Sequence, residues 1–276
     1  MPHPSLSLFG FLGFDEAAHY LTQTCDIGEV SPDTIKALWE NASYAIGSVH
    51  GNPGHPEVLD VPSPLAPYVE AVNCGWPGLL TQPGFSLKMV EVRPLLAYQL
   101  SITLAASENH CSKFAKPPTD SELFAVCMPQ HPPQERLVLQ ATPNSLIVRA
   151  KSLNVRVLQG GYEHQTGFAG VKIGPALPFT HVVLFGGRYY LHNGYHRAYG
   201  AALAGATHIP CLLREATSAE DAGIRTDGTT FRLELLESNN PPTVGHFLDG
   251  RAQPVAVRNV DRVIHVSWSE YTLLNE

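Results

Sequence analysis

Apolar residues recur at helical spacing at Ile35, Leu38, Trp39, Ala42, Ala45 and Ile46, and the flanking residues mark both ends of the helix this predicts. Ser31 offers an N-cap hydroxyl, and Pro32 suits a first turn where the amide has no partner. Asp33 faces the positive end of the dipole, and Gly47 supplies the stop. Shorter helices are predicted over Asp15 to Thr22 and Pro67 to Val72, so the first part of the chain reads as helices packed around Trp39 and Trp76. From Met89 the period changes. Val90, Val92, Leu100, Ile102 and Leu104 alternate with polar neighbours, as do Leu137, Leu139, Leu146, Val148, Val155 and Val157, which predicts half-buried strands. Val255 to Val257 and Val263 to Trp268 continue the alternation. Pro117, Pro118, Pro129, Pro132 and Pro133 punctuate a long loop and suggest a seam near residue 134. The expected class is α+β: a helical and strand region over 1–134, then a mixed-sheet α+β domain over 135–276.

Composition narrows the class of function. The 276 residues carry 18 Lys and Arg against 25 Asp and Glu, a formal charge of −7, which argues against general nucleic-acid binding. With 44% hydrophobic and 16% charged residues, the chain has ample core material and is not a disordered sequence. Met1-Pro2-His3-Pro4 lacks a basic leader, and no run of eighteen apolar residues occurs, so neither a secretory signal nor a membrane span is expected. Cys25, Cys74, Cys111, Cys127 and Cys211 are odd in number and lack a framework spacing. They are expected to be free thiols in a reducing, cytoplasmic setting. His110-Cys111 and Cys127 with His131 suggest a zinc-assisted alternative, but Cys127 lies in the apolar run Leu123 to Met128, where a buried thiol is the simpler account. No metal site is assigned.

Charge is unevenly distributed. From residue 149 to 214 there are seven basic residues, Arg149, Lys151, Arg156, Lys172, Arg188, Arg197 and Arg214, against the single acid Glu163. A focused anion site would need such a window; apolar strands that tolerate few carboxylates are the other explanation.

Within that window Thr180 to Phe185 predicts a strand, Gly186-Gly187 a hairpin turn, and Arg188 to His192 its partner strand. Asn193-Gly194 ends the strand, Tyr195 to Ala204 reads as a buried helix with Gly205 as its C′ residue, and His208 to Leu213 returns to strand. The first turn of such a helix offers unpaired amides and the positive dipole end to an anion. Gly194 permits close approach, and His196 and Arg197 add donors, Arg197 in the bidentate geometry that suits phosphate. Tyr195 and Tyr199, four apart, suit packing on the sheet better than base stacking. His192 suits equally a general base or a structural histidine. Gly160-Gly161 precedes Glu163, the nearest carboxylate.

The run His192-Asn193-Gly194-Tyr195-His196-Arg197, followed by Ile209-Pro210, resembles the ParB/sulfiredoxin fold family over residues 181 to 213. That family's hallmark is a strand ending in an Asp-Gly-His-His-Arg-like or Gly-Gly-Cys-His-Arg-like turn, then a helix and a strand with Ile-Pro. The resemblance implies a site for ATP or CTP with Mg²⁺, the nucleotide held by Gly194, His196 and Arg197 with Asn193, Tyr195 and Arg188 beside them. His196 or His192 would orient or deprotonate an acceptor, and Glu163 would recruit Mg²⁺. Tyr195 replaces the sulfiredoxin cysteine, which argues against sulfinic-acid reduction, and Asn193 stands where kinase-like members carry Asp, which weakens phosphoryl transfer. Residues 215 to 276 are acidic and lack helix-turn-helix patterning, which argues against a chromosome-partition role. The expected function is thus a nucleotide- or phosphate-binding protein acting as a phosphotransferase or hydrolase on a small molecule. The alternative is a non-catalytic adaptor that keeps the fold and binds a protein partner or a second copy of itself.

Overall fold

The computed structural model describes residues 2–47, 54–80, 84–112, 114–131, 134–152, 154–163, 168–224 and 230–272. Helices and mixed sheets both contribute, so the fold is α+β. The chain forms two compact units. One comprises residues 1–131 with 179–258, the other 132–178 with 259–276. The chain leaves the larger unit at residue 131 and returns to it at residue 179. Residues 179–258 pair with strands and helices of the first 131, because their apolar strands find their hydrogen-bonding neighbours there.

In the larger unit the elements are β1 (His3–Ser7), α1 (Phe14–Gln23), α2 (Pro32–Gly47), β2 (Val58–Asp60), α3 (Ala66–Gly75), β3 (Phe85–Glu91), β4 (Leu96–Ala97), β5 (Ser101–Thr103), α4 (Leu104–Cys111) and α5 (Asp120–Cys127). β6 (Val138–Thr142), β7 (Ser145–Ala150), β8 (Val155–Glu163) and β9 (Phe168–Pro175) belong to the smaller unit. The larger unit resumes with β10 (His181–Phe185), β11 (Arg188–Asn193), α6 (Tyr195–Leu203), β12 (His208–Glu215), α7 (Leu233–Leu236), α8 (Val244–Leu248) and β13 (Gln253–Val257). β14 (Arg262–Ser267) returns to the smaller one.

The α2 helix starts as its sequence predicts, the Thr34 amide donating to Ser31 Oγ at 3.2 Å. Trp39 Nε1 donates to the Leu12 carbonyl and Trp76 Nε1 to that of Pro129, both at 2.9 Å, so each indole anchors a loop as well as packing. Four helices were not anticipated, α4, α5 and the short α7 and α8. The alternation through Leu104 gives way to α4, and the proline-rich stretch contains α5. Thr119 and Glu122 form a reciprocal capping box on α5, a Thr-x-x-Glu signal that was legible in the sequence.

The main sheet has the order β2-β3-β12-β10-β11-β4. β10 runs parallel to β12 and β11 to β4; the other pairs are antiparallel. A second sheet places β1 between β13 and β5. A large continuous core fills this unit, with Tyr190, Phe9, Phe124, Phe179 and Phe231 fully buried, and Val183, Ala216 and Ala222 form a small separate cluster. The smaller unit has a β14-β7-β6 sheet and the β8-β9 hairpin. Among the described residues, no helix is long and apolar enough to cross a membrane.

Candidate functional site

The strand, turn, helix and strand expected over residues 181–213 are all present. β10 and β11 meet at Gly186-Gly187, and α6 follows and leads into β12. Gly194 is the N-cap of α6 at φ +96°, a region that disfavours any Cβ. A Cβ there would also stand 2.8 Å from Thr180 Oγ1. Asn193 locks this corner from both ends of its amide: Oδ1 accepts the Gly194 N–H at 2.9 Å, and Nδ2 donates to the Phe179 carbonyl at 2.9 Å. A carboxylate has no N–H to make the second bond, which accounts for Asn rather than Asp at this position.

The corner is closed, and this corrects the solvent-facing cradle expected at Gly194 and Tyr195. Both residues are buried, and the Tyr195 hydroxyl accepts the amides of Tyr98 at 3.0 Å and Gln99 at 3.3 Å. His196 Nε2 accepts the Thr103 N–H at 3.1 Å. Burial, with His110 and Arg197 nearby, lowers its pKa to about 4, so its lone pair holds the entry to α4.

Arg197, expected at the surface gripping phosphate, is only 8% exposed. Its Nη1 lies 3.5 Å from the carbonyl of Val126, in the last turn of α5. The negative end of that helix attracts the guanidinium, while burial depresses its pKa against the opposing effect of Cys127 and Cys111. Arg188 likewise faces inward. Its guanidinium donates to the carbonyls of Leu236 at 2.7 Å, Glu237 at 2.9 Å and Ser238 at 3.0 Å, capping α7. Arg214 pairs with Asp221, Nη1 to Oδ1, at 2.7 Å. The basic window therefore divides between the two units. Three arginines are committed to internal acceptors of the larger unit, and Arg149, Lys151, Arg156 and Lys172 belong to the smaller one. Glu163 also ends a strand of the smaller unit, and its side chain lies outside the described residues.

The structure instead brings His192 together with two residues that sequence reasoning missed. Its Nδ1 shares a hydrogen bond with the Tyr98 hydroxyl and lies 3.3 Å from the Ala222 carbonyl, and the His181 ring sits 4.9 Å away, edge to face. Gly223, at φ +78°, lies against the His192 ring; a Cβ there would stand 2.6 Å from Cε1. Burial, reinforced by His192 and Arg214, drives the His181 pKa down to about 3. The β10-β11 register pairs His181 with Asn193 and so carries a sequence signal for that neighbour. Tyr98 arrives from a distant turn and carries none. Ala222 and Gly223 pack beside the Tyr98–His192 pair.

Two clefts of about 320 Å³ and 520 Å³ occur in the larger unit. The first is lined by His55, Pro94, Gly187, Tyr189 and Arg188, one of the residues expected to bind phosphate, and the second by Val61, Val69, Glu70 and Leu87. The first turn of α6 lines neither. All five cysteines are free; Cys127 and Cys211 are buried and Cys111 points its thiol at the Arg197 carbonyl, 3.8 Å away. Among the described residues, no group of three or more His, Cys, Asp and Glu is placed to hold a metal ion.

The smaller unit differs in its surface. Ten of the fourteen large hydrophobic residues exposed among the described residues lie in it, including Val138, Leu139, Val263 and Trp268. Only Val148, Ala150 and Val155 of its described apolar residues are buried. No family model matches the chain, and neither the curated proteins nor the solved structures contain a match to it.

Proposed function

We propose that this chain is a non-catalytic protein-interaction module on a ParB/sulfiredoxin-like scaffold. One observation carries the reading: exposed apolar side chains are concentrated in a unit that buries almost none of its own. Monomeric soluble proteins rarely leave such surface uncovered unless it meets another macromolecule. The burial of Arg197 against the end of α5 supports the same reading, since a cation enclosed there is not presented to a phosphate. The test combines two measurements. Native protein should bind an environment-sensitive apolar dye at the smaller unit, with binding reduced by Val263→Ser and Trp268→Ser. A melting-temperature panel with ATP, CTP and GTP, each with Mg²⁺, should give no shift. Absence of dye binding overturns the reading.

A second reading, nucleotide binding at the start of α6, is favoured by one observation: α6 has a left-handed glycine N-cap with no side-chain cap and no acidic residue in its first turn. A nucleotide-dependent rise in melting temperature that Gly194→Ala removes would favour it over the module.

A further inference from the structure

The edges of the four sheets are protected unequally. In the main sheet the edge strands are β2, three residues long with Asp60 paired to Lys88, and β4, only two residues long. The second sheet ends in β5, three residues, and β13, which carries Pro254. The β8-β9 hairpin carries Arg156 and Lys172, and β14 carries Arg262. Short strands, prolines and charges are the usual devices against edge pairing. β6 has none of them. Its five residues, Val138-Leu139-Gln140-Ala141-Thr142, are all exposed, Val138 at 55% and Leu139 at 63%. They lie in a stretch without a charge between Arg136 and Arg149.

Resting on the interaction-module reading, we propose that β6 is a dimerisation edge, and that its partner is β6 of a second copy of this chain in antiparallel pairing. Thr142 and Ser145 flank a two-residue turn, where flanking residues exchange hydrogen bonds within the hairpin. Residues 138, 140 and 142 therefore face β7 with their amides and carbonyls, and Leu139 and Ala141 direct theirs outward. A two-fold axis through Gln140 pairs Leu139 of each copy with Ala141 of the other, so the outward groups of both residues are satisfied. The same axis sets large Leu139 beside small Ala141, branched Val138 beside branched Thr142, and the Gln140 amides beside each other. No like charges meet. The absence of charge singles out this occupant: a partner chosen by charge has nothing on β6 to read, while an identical strand is complementary to it along its whole length. Two three-stranded sheets would become one six-stranded sheet.

The experiment is the mass of the whole chain in solution by light scattering and sedimentation, from low to high micromolar concentration. It is paired with amide exchange and with two variants, Leu139→Lys and Ala141→Pro. The proline removes an outward amide and leaves the β6-β7 bonds of residues 138, 140 and 142 intact. A wild-type dimer with protected amides at Leu139 and Ala141, and folded variants of monomer mass, is the expected result. A wild-type monomer at every concentration, or a dimer that both folded variants retain, overturns the proposal. A monomer that still binds the apolar dye at the smaller unit overturns the dimer edge alone; a monomer that does not bind it overturns the module reading as well.

Discussion

The two units handle their apolar residues in opposite ways. The larger wraps helices and two sheets around rings such as Tyr190, Phe179 and Phe231. It turns even its charged and titratable groups inward: Arg197 to the end of α5, Arg188 to the end of α7, and His196 to the start of α4. The smaller, 65 residues in two segments, buries three apolar side chains among those described and exposes ten large ones. A sheet module of this size has little volume for a core of its own. The contrast shows where function is to be sought. In the larger unit the basic residues support the fold, and the proposed interaction surface lies on the smaller unit.

Core truncation should separate the units most strongly. Phe124→Ala, at a ring 1% exposed, should cost about 3–5 kcal/mol in denaturant unfolding. A cost under about 1 kcal/mol would show that the larger unit's packing is not what holds it together.

Acid should act next, through the larger unit. His181, with a pKa lowered to about 3, and His196 and His246, lowered to about 4, are all held neutral, His246 Nδ1 accepting the Thr243 amide at 2.9 Å. Each has a folded pKa below its unfolded value, so its contribution is fully present above about pH 6.5. That contribution is lost as the pH falls toward 4 and 3, at up to about 1.4 kcal/mol per pH unit for each imidazole. A stability profile flat from pH 7 to 5 would contradict this. His196→Gln, which keeps an acceptor without a titrating ring, should flatten the profile.

Arg197→Ala should destabilise by about 1–3 kcal/mol, since it leaves a void beside Cys111 and Cys127 and removes a donor from Val126. Arg197→Met, which keeps the volume, should lose less. Equal stability of wild type and both variants would return Arg197 to the surface role first expected of it. The smallest effect belongs to the smaller unit. Val138→Ser should change the stability of the monomer by no more than about 0.5 kcal/mol, because its side chain already meets water. A larger loss that depends on protein concentration would mean that a second copy covers the residue.

Local chemistry made several elements readable in advance. Ser31-Pro32-Asp33 announces α2, Gly186-Gly187 announces the β10-β11 hairpin, and Asn193-Gly194 marks the start of α6, because caps and turns depend on residues a few positions apart. The Thr119-x-x-Glu122 box was equally local, and the surrounding prolines obscured it. The candidate site was legible only in part. His192 was singled out for chemistry, but whether it served as base or scaffold depended on Tyr98, ninety-four residues away.

By itself the sequence determined an α+β chain, the hairpin, the α6 helix and its glycine N-cap, and the excess of basic residues between 149 and 214. Those properties follow from backbone sterics, side-chain period and composition, which act over a few residues. Only the tertiary structure decided that the basic residues divide between two units, that Arg188 and Arg197 meet helix ends, and that residues 179–258 complete the sheets begun in the first 131. A guanidinium reads the same in sequence at a surface or in a core. Its role is set by which carbonyls and carboxylates the distant chain brings within hydrogen-bonding distance.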